Sequence, residues 1–378
     1  MSAAMRIRWG RIPSAALAAL AFVLTGCGEK PGYPPTLEYP TRADRLVLRT
    51  PTAQPAGPGE AGKFDAELAA LDSLGGQTLD PATLPKPTRD QVDAMLAELF
   101  GPPAAPQVKD DRSGLASERL IEGSLLYRRH CLQCHGLSGD GRGPTGQWIY
   151  PHPRDFRRGA FKFTTTGDGG KPRTTDLART VRDGLKGTGM PAFGLLPESD
   201  RDLLVGYVKF LSLRGQTEFA ALRAASEDEE FDKGVVGRFV GEWARAEASA
   251  GVAPRSAPDD AAKQSPEHLA AVRRGFELFT AKGTTDCMTC HEDFGRRTTY
   301  RYDVWGTVVR PAELTAGGFK GGDRPESLFH RIRDGIQPSG MPAHPSLKDD
   351  QVWDLVWFVR AAPFPRELPE DVRAKVYP

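Results

Sequence analysis

The sequence predicts an all-α protein that contains two related helical units in tandem. Three observations support this prediction: apolar residues recur at helical spacing, no run alternates as a substantial sheet would, and two stretches of the chain repeat one another. The chain has 378 residues, which is enough for two or three domains. We expect each unit to be a small helical bundle, and we expect a Pro/Gly-rich tether before the first one.

Residues 1–26 have the pattern of an export signal. Arg6, Arg8 and Arg11 precede an apolar stretch that is too short to span a bilayer comfortably. The stretch ends in Leu-Thr-Gly-Cys at 24–27, which resembles the lipobox of bacterial lipoproteins. This resemblance implies cleavage before Cys27 and acylation of that residue, and two or more acyl chains anchor a protein stably. An ordinary signal peptide followed by an incidental cysteine is the alternative.

Residues 27–114 are rich in Pro, Gly and Ala, and this composition predicts a tether. Two short amphipathic helices are expected within it. Their apolar residues are Phe64, Leu68, Leu71 and Leu74 in one helix, and Val92, Leu96, Leu99 and Phe100 in the other. We expect both helices to lie against one of the following units, in preference to a role in binding a partner subunit.

The repeat consists of residues 115–214, here called unit 1, and residues 266–368, here called unit 2. Each unit is predicted to consist of a helix, a cysteine motif, a long loop, a methionine loop and a closing helix. In each opening helix a glycine stands four residues before an aromatic residue, which suits close crossing by the closing helix. The matching peptides are Val181–Gly184 with Ile332–Gly335, and Gly189–Ala192 with Gly340–Ala343.

Two further segments complete the chain. Residues 215–265 combine an acidic run with a helical apolar face, and they predict a partly helical spacer packed on the units. Residues 369–378 are expected to form a C-terminal tail. No segment after the signal contains 18 consecutive apolar residues, so the sequence predicts no membrane-spanning helix there.

Each unit contains one pentapeptide of the form C-x-x-C-H, at 131–135 and at 287–291. Two intervening residues let both sulfurs reach the vinyl groups of one porphyrin, and the adjacent histidine can then bind the iron. Zinc sites and dithiol oxidoreductases also use C-x-x-C, but two copies followed by histidine on an exported chain favour two covalently bound haem c groups. The haem-attaching residues are Cys131, Cys134, Cys287 and Cys290, and the iron ligands are His135 and His291.

Both units resemble class I cytochrome c domains, small helical bundles around a covalent haem. In that family the sixth iron ligand is a methionine in the loop before the last helix. The resemblance therefore implies that Met190 and Met341, each in a Gly-Met-Pro sequence, complete the two iron centres. A role as core filler is the alternative for each methionine. Because the motifs and Cys27 use all five cysteines, no thiol is left for a structural disulfide.

The other charged and imidazole side chains permit more than one interpretation. His152 and His344 lie in loops that we expect near the haem faces, whereas His268 and His330 are predicted to be surface residues. The basic stretch 154–162 either pairs with haem propionates or is solvated.

Residues 115–214 hold 16 Lys and Arg against 10 Asp and Glu, and residues 266–368 hold 14 of each kind. Unit 1 is thus the one expected to dock an acidic partner.

The function predicted from these residues is electron transfer by a dihaem lipoprotein on the periplasmic side of a bacterial membrane. Expected partners are a dehydrogenase, a quinol-oxidising complex or a terminal oxidase. The protein would reach them either as a free carrier or as a subunit of a respiratory complex. The formal net charge is only +1, so nucleic acid is not an expected partner. We do not expect an enzyme, because a thioether on each iron leaves no vacant position. The alternatives are a dihaem enzyme, such as a cytochrome c peroxidase or a thiosulfate-oxidising cytochrome, and a redox-sensing or scaffold module.

Overall fold

The computed structural model describes residues 32–378, apart from 56, 58–63, 168, 250–263 and 298. The predicted signal peptide and Cys27 lie outside these described residues. Most of the described chain is helical, and its strands form only two small sheets, so the all-α prediction is confirmed. Within the described ranges, no helix has both the length and the apolar character needed to cross a membrane.

The elements follow one another in a simple order. The helices are α1 (Phe64–Ser73), α2 (Lys86–Phe100), α3 (Ser117–His130), α4 (Leu132–His135), α5 (Thr174–Asp183), α6 (Glu198–Ser226), α7 (Val235–Ala248), α8 (Pro266–Thr280), α9 (Cys287–Cys290), α10 (Pro325–Arg333), α11 (Asp349–Ala361) and α12 (Glu370–Val376). The strands are β1 (Leu46–Arg49), β2 (Gln77–Leu79), β3 (Arg301–Tyr302) and β4 (Val308–Val309). Strand β1 pairs with β2, and β3 pairs with β4, both antiparallel.

Each unit is built on a close crossing of its first and last helices, α3 with α6 and α8 with α11. A Cβ atom added at Gly123 would lie 2.6 Å from the carbonyl oxygen of Leu203. In unit 2, a Cβ atom at Gly275 would lie 2.0 Å from the carbonyl oxygen of Asp354. Only glycine lets the backbones approach this closely, so the predicted crossings are confirmed.

The closing helix of unit 1 is longer than its repeat suggests. Helix α6 has 29 residues and continues past the predicted boundary at 214, because the added turns are also buried. Thr217, Glu218 and Leu222 lie in this buried extension. The corresponding helix α11 has 13 residues, and helix α12 follows it. Val372 and Val376 of α12 are part of the core of unit 2, so the residues predicted as a tail pack on that unit.

Much of the segment predicted as a tether is packed against both units. The α2 side chains of Val92, Leu96 and Phe100 are buried in the core of unit 1, as expected for helices that lie on a unit. Strand β1 contacts both units, because successive side chains of a strand point to opposite faces. Leu46 belongs to the core of unit 1, whereas Val47 packs with side chains of β3 and β4 in unit 2.

A tight turn connects β3 and β4 and reaches towards unit 1. We call residues 303–306 the interdomain turn. The buried Asp303 carboxylate organises it: Oδ1 accepts hydrogen bonds from the backbone N–H groups of Trp305 and Thr307, each at 3.1 Å. The N–H of Gly306 donates to the carbonyl of Asp303, with Gly306 at φ 77°, a left-handed conformation that favours glycine.

Candidate haem-binding sites

The first C-x-x-C-H motif forms one helical turn directly after α3. The N–H of Cys131 donates to the carbonyl of Tyr127 at 2.8 Å, and the N–H of His135 donates to the carbonyl of Cys131 at 2.9 Å. Gly136, at φ 73°, then ends the turn. Both cysteines are partly exposed. This single turn therefore presents two thiols and an imidazole from adjacent positions, as covalent attachment of a haem requires.

A backbone hydrogen bond fixes the His135 ring. Its Nδ1 lies 3.0 Å from the carbonyl oxygen of Arg154. Because a carbonyl can only accept, Nδ1 carries the proton and Nε2 keeps a free lone pair for a metal. The ring stacks on Phe156 with 4.6 Å between ring centroids. Burial lowers the pKa of His135 to about 4, although the bond to Arg154 acts in the opposite direction, so the imidazole is neutral at pH 7.

The second motif repeats this arrangement. The Nδ1 of His291 lies 3.0 Å from the carbonyl oxygen of Ala312, and burial lowers the pKa of this imidazole. Arg301 connects the motif to the methionine loop, because its Nη2 lies 3.2 Å from Cys290 Sγ and its Nη1 donates to the carbonyl of Gly340 at 3.0 Å. Both histidines thus have the same tautomer, with Nε2 available.

The two Gly-Met-Pro sequences form matching loops. The N–H of Leu185 donates to the carbonyl of Met190 at 3.2 Å, and the N–H of Ile336 donates to that of Met341 at 3.0 Å. A glycine with positive φ precedes each of these donors by one residue. A Cβ added at either position, Gly184 or Gly335, would lie 2.5–2.6 Å from backbone atoms of the loop. The repeat therefore preserves the backbone that displays the methionine.

In each unit, the methionine loop packs against an element that also adjoins the C-x-x-C-H motif. In unit 1, the ring of His130 meets that of Phe193, three residues after Met190, at a centroid distance of 6.1 Å. In unit 2, Met341 and Cys287 pack against the same core. Haem c attaches through two thiols and a neutral imidazole, and a thioether is one group that can fill the sixth position; each unit supplies this set. The residues present fit the group, and ligation of the iron by these residues stays a prediction.

Several other side chains are placed differently from the sequence-based expectation. His268 and His330 were expected at the surface but are buried: His268 lies against Trp357, and His330 Nδ1 lies 2.8 Å from Asp334 Oδ2. Arg157 is not solvated but buried and paired with carboxylates. Its guanidinium is buried between the carboxylates of Asp44 and Asp155. Among the described residues, no group of three or more His, Cys, Asp or Glu side chains could hold a metal ion as a zinc site does.

Two groups that orient the motif histidines, the carbonyls of Arg154 and Ala312, were not predicted from the sequence. Every residue has a carbonyl, so residue type gives no signal for this role. The repeat does give one, because Pro153 matches Pro311 and the acceptors are the residues that follow them.

Comparison with known proteins identifies the two units. The family model described as cytochrome C oxidase, cbb3-type, subunit III matches residues 118–208 and 270–359. A comparison with curated proteins found no match. Among solved structures, a chain of the reducing HAO-like protein complex of Kuenenia stuttgartiensis is 26% identical, with a TM-score of 0.47. The alignment covers 64% of this chain and 95% of that one.

Each matched region begins within the first helix of a unit and ends within its closing helix. Each also contains a complete C-x-x-C-H motif, its hydrogen-bonded histidine and its methionine loop. Cytochrome c domains of this kind bind haem c covalently. The chain is therefore an all-α protein with two tandem regions that the family model identifies as cytochrome c domains.

Proposed function

We propose that this protein is a dihaem electron carrier in which both haem groups have histidine and methionine as axial ligands. One observation supports this above all others: the whole donor set occurs twice, with the same histidine tautomer and the same methionine-loop backbone. The proposed ligands are His135 and Met190 in unit 1, and His291 and Met341 in unit 2. A single functional site would not require the second set to keep these details.

The chain's own residues have three tasks in this function. Cys131 and Cys134 would hold the first haem through thioether bonds, as Cys287 and Cys290 would hold the second. The carbonyl of Arg154 fixes the orientation of the His135 ring, so that Nε2 keeps one direction in both oxidation states. Bound haem c exchanges single electrons with a redox partner, and a thioether ligand favours the ferrous state.

We also propose that the carrier is attached to the periplasmic side of a bacterial membrane through acylated Cys27. The Leu-Thr-Gly-Cys sequence after a short apolar stretch supports this location. The matching family is described as an oxidase subunit, which supports a role in or beside a respiratory complex. Its partners would then be a dehydrogenase, a quinol-oxidising complex or a terminal oxidase.

The absorption spectrum of the purified holoprotein tests the carrier function. Mass spectrometry of the mature chain should first find two haem additions. We then expect two low-spin centres in the ferric spectrum and no rapid binding of carbon monoxide by the reduced protein, because every axial position is filled. A high-spin component together with rapid carbon monoxide binding would instead indicate an enzyme with one open iron, and it would overturn the carrier function.

A further inference from the structure

The interdomain turn of unit 2 contacts the residues that position the haem ligand of unit 1. The indole Nε1–H of Trp305 donates to the carbonyl oxygen of Asp155 at 3.0 Å. The Arg154 guanidinium lies over the same indole ring, 3.5 Å from its centroid. Arg154 is the residue whose carbonyl accepts the hydrogen bond from His135. One side chain of unit 2 thus holds two consecutive residues of unit 1.

Unit 1 itself holds the other side of this segment. The N–H of Phe156 donates to the carbonyl of Gly139 at 2.7 Å, and Arg157 donates to the carboxylate of Asp155. Without Trp305, the Asp155 carbonyl would lose its hydrogen-bond donor and the Arg154 side chain would lose its stacking partner, so unit 1 alone would hold the segment. The geometry of the His135 acceptor therefore depends on a contact between the units.

The turn that presents Trp305 is itself well fixed. Asp303 is fully buried, and its Oδ2 lies 3.2 Å from Lys162 Nζ and 3.9 Å from an Arg154 nitrogen. On the other side, the N–H of Val304 donates to the carbonyl of Pro338 at 3.0 Å, three residues before Met341. The turn consequently spans from the histidine side of the first site to the methionine loop of the second.

The two units differ at this point, although they are repeats. The acceptor for His291 is the carbonyl of Ala312. The methyl side chain of this alanine cannot make a cation–π contact with an aromatic ring. Arg154, in contrast, combines the acceptor carbonyl with a side chain that stacks on Trp305. The contact of Trp305 thus has no counterpart at His291, so its loss should act on the histidine of unit 1.

We propose that Trp305 is a positioning residue for His135, and that through this contact unit 2 sets the reduction potential of the haem in unit 1. The inference rests on the proposed function, since it requires a haem bound by His135. A firm hydrogen bond from Nδ1–H increases the basicity of an imidazole ligand and so favours ferric iron. If the Arg154 carbonyl is held less firmly, its hydrogen bond with His135 weakens. The reduction potential of the haem in unit 1 should then rise.

The variant Trp305→Phe tests this inference, because it keeps a ring beneath Arg154 and removes the N–H that holds Asp155. Potentiometric titration followed by the haem-methyl NMR signals resolves the two centres. We expect an upward shift of the unit 1 potential and no shift for unit 2. Trp353→Phe is the matched control: it makes the same change in the core of unit 2, where Trp353 packs on Phe329, and it should move neither potential.

Trp305→His provides a rescue, because a protonated ring nitrogen can again donate to Asp155. Its unit 1 potential should lie closer to that of the wild type, and it also serves if Trp305→Phe does not fold. Unchanged potentials in Trp305→Phe, or equal shifts of both haems, would overturn the inference. Wild-type protein with fewer than two haem groups would instead overturn the proposed function, so the two failures are distinguishable.

Discussion

A single hydrogen bond decides which nitrogen of each ligand histidine can bind a metal. The carbonyls of Arg154 and Ala312 hold the Nδ1 protons of His135 and His291, both at 3.0 Å. Without this acceptor, a neutral imidazole could expose either nitrogen, and its ring could rotate. The reorganisation energy of electron transfer is small when the iron ligands keep one orientation. The peptide carbonyls therefore matter as much to these sites as the side chains.

The methionine assignment predicts a specific change in ligand binding. Met190→Ala and Met341→Ala should each convert one low-spin haem into a form that binds carbon monoxide when reduced, because alanine leaves one axial position open. Titration with carbon monoxide, followed by absorption, should give one binding equivalent per variant. Met95→Ala in α2 is the control, since this side chain packs against the core of unit 1. Spectra identical to wild type in both loop variants would contradict the assignment.

Lys162 predicts a dependence of stability on pH. Burial and the nearby Arg154 lower its pKa from 10.5 to about 8, although Asp303 opposes the shift. Between these two pH values the unfolded chain binds a proton that the folded chain has lost, so this group makes stability rise with pH. The rise is about 1.4 kcal/mol per pH unit.

Denaturant unfolding of Lys162→Met should lack this contribution, so the stability of the wild type relative to the variant should increase from pH 8 to pH 10. Substituting the exposed Lys282 by Met is the control. The free energy of unfolding of this variant, plotted against pH, should run parallel to that of the wild type. Parallel curves for Lys162→Met would contradict the burial of a titrating lysine at this position.

The spacing of the motif cysteines and histidines is sufficient to propose them as haem-binding residues, and that role stays a prediction. Positions defined by packing were harder to predict. His268 was expected at the surface, but it lies on the same helical face as Val272, Gly275 and Phe279, so the helical period did contain the signal for its burial. Trp305 lies in a turn whose neighbours come from the other unit, and no local pattern specifies them.

At the level of elements, the close helix crossings depend on single glycines. Gly275→Ala should destabilise unit 2 by roughly 1–3 kcal/mol, because the new methyl group would overlap the α11 backbone. Gly206→Ala is a matched control within helix α6, since the nearest atom to its Cβ would be a Leu115 methyl group at 3.7 Å. There, alanine should stabilise the helix by about 0.5–1 kcal/mol. Equal effects of the two substitutions on thermal unfolding would contradict the described crossing.

The order of the helices could be predicted, but their lengths and their sheet partners could not. Helical periodicity and the repeat were sufficient for α3, α6, α8 and α11. The extension of α6 beyond 214 was missed because its outer turns are buried by the N-terminal segment, which sequence composition presents as a tether. The β3–β4 pair has two residues per strand, too few for alternation to be visible.

At the scale of the whole molecule, a buried ion pair attaches the N-terminal segment to unit 1. Arg157 donates to both carboxylate oxygens of Asp44, at 2.9 and 2.8 Å. Burial alone would raise the pKa of Asp44, but Arg42 and Arg157 outweigh it and hold that pKa well below its usual value. Asp44→Asn should therefore cost about 3 kcal/mol or more, because a buried guanidinium loses a charged partner.

The exposed pair of Arg45 and Asp72, at 2.9 Å, supplies the control for this prediction. Asp72→Asn should change the free energy of unfolding by less than about 1 kcal/mol, as is usual for exposed ion pairs. Chemical denaturation of both variants distinguishes the two sites. A cost for Asp44→Asn no larger than that for Asp72→Asn would show that the segment is not held by its buried pair.

The uneven charge of the units predicts different salt dependence at the two haem groups. Residues 115–214 have six more basic than acidic residues, as 16 against 10, whereas residues 266–368 are balanced. Oxidation by the anionic hexacyanoferrate ion should therefore slow with ionic strength more steeply at unit 1. Stopped-flow measurements from about 0.01 to 1 M salt test this. Equal slopes at both haem groups would contradict a basic docking face on unit 1.

Strand β1 has a consequence for how the duplicated halves can be reused. A tandem repeat suggests interchangeable building blocks, but Leu46 and Val47 commit one short strand to both halves at once. Excision of unit 1 would uncover Leu46, and excision of unit 2 would uncover Val47. A common origin of the two units therefore does not mean that each unit can fold alone. A shuffled or isolated unit would need another segment to replace this strand.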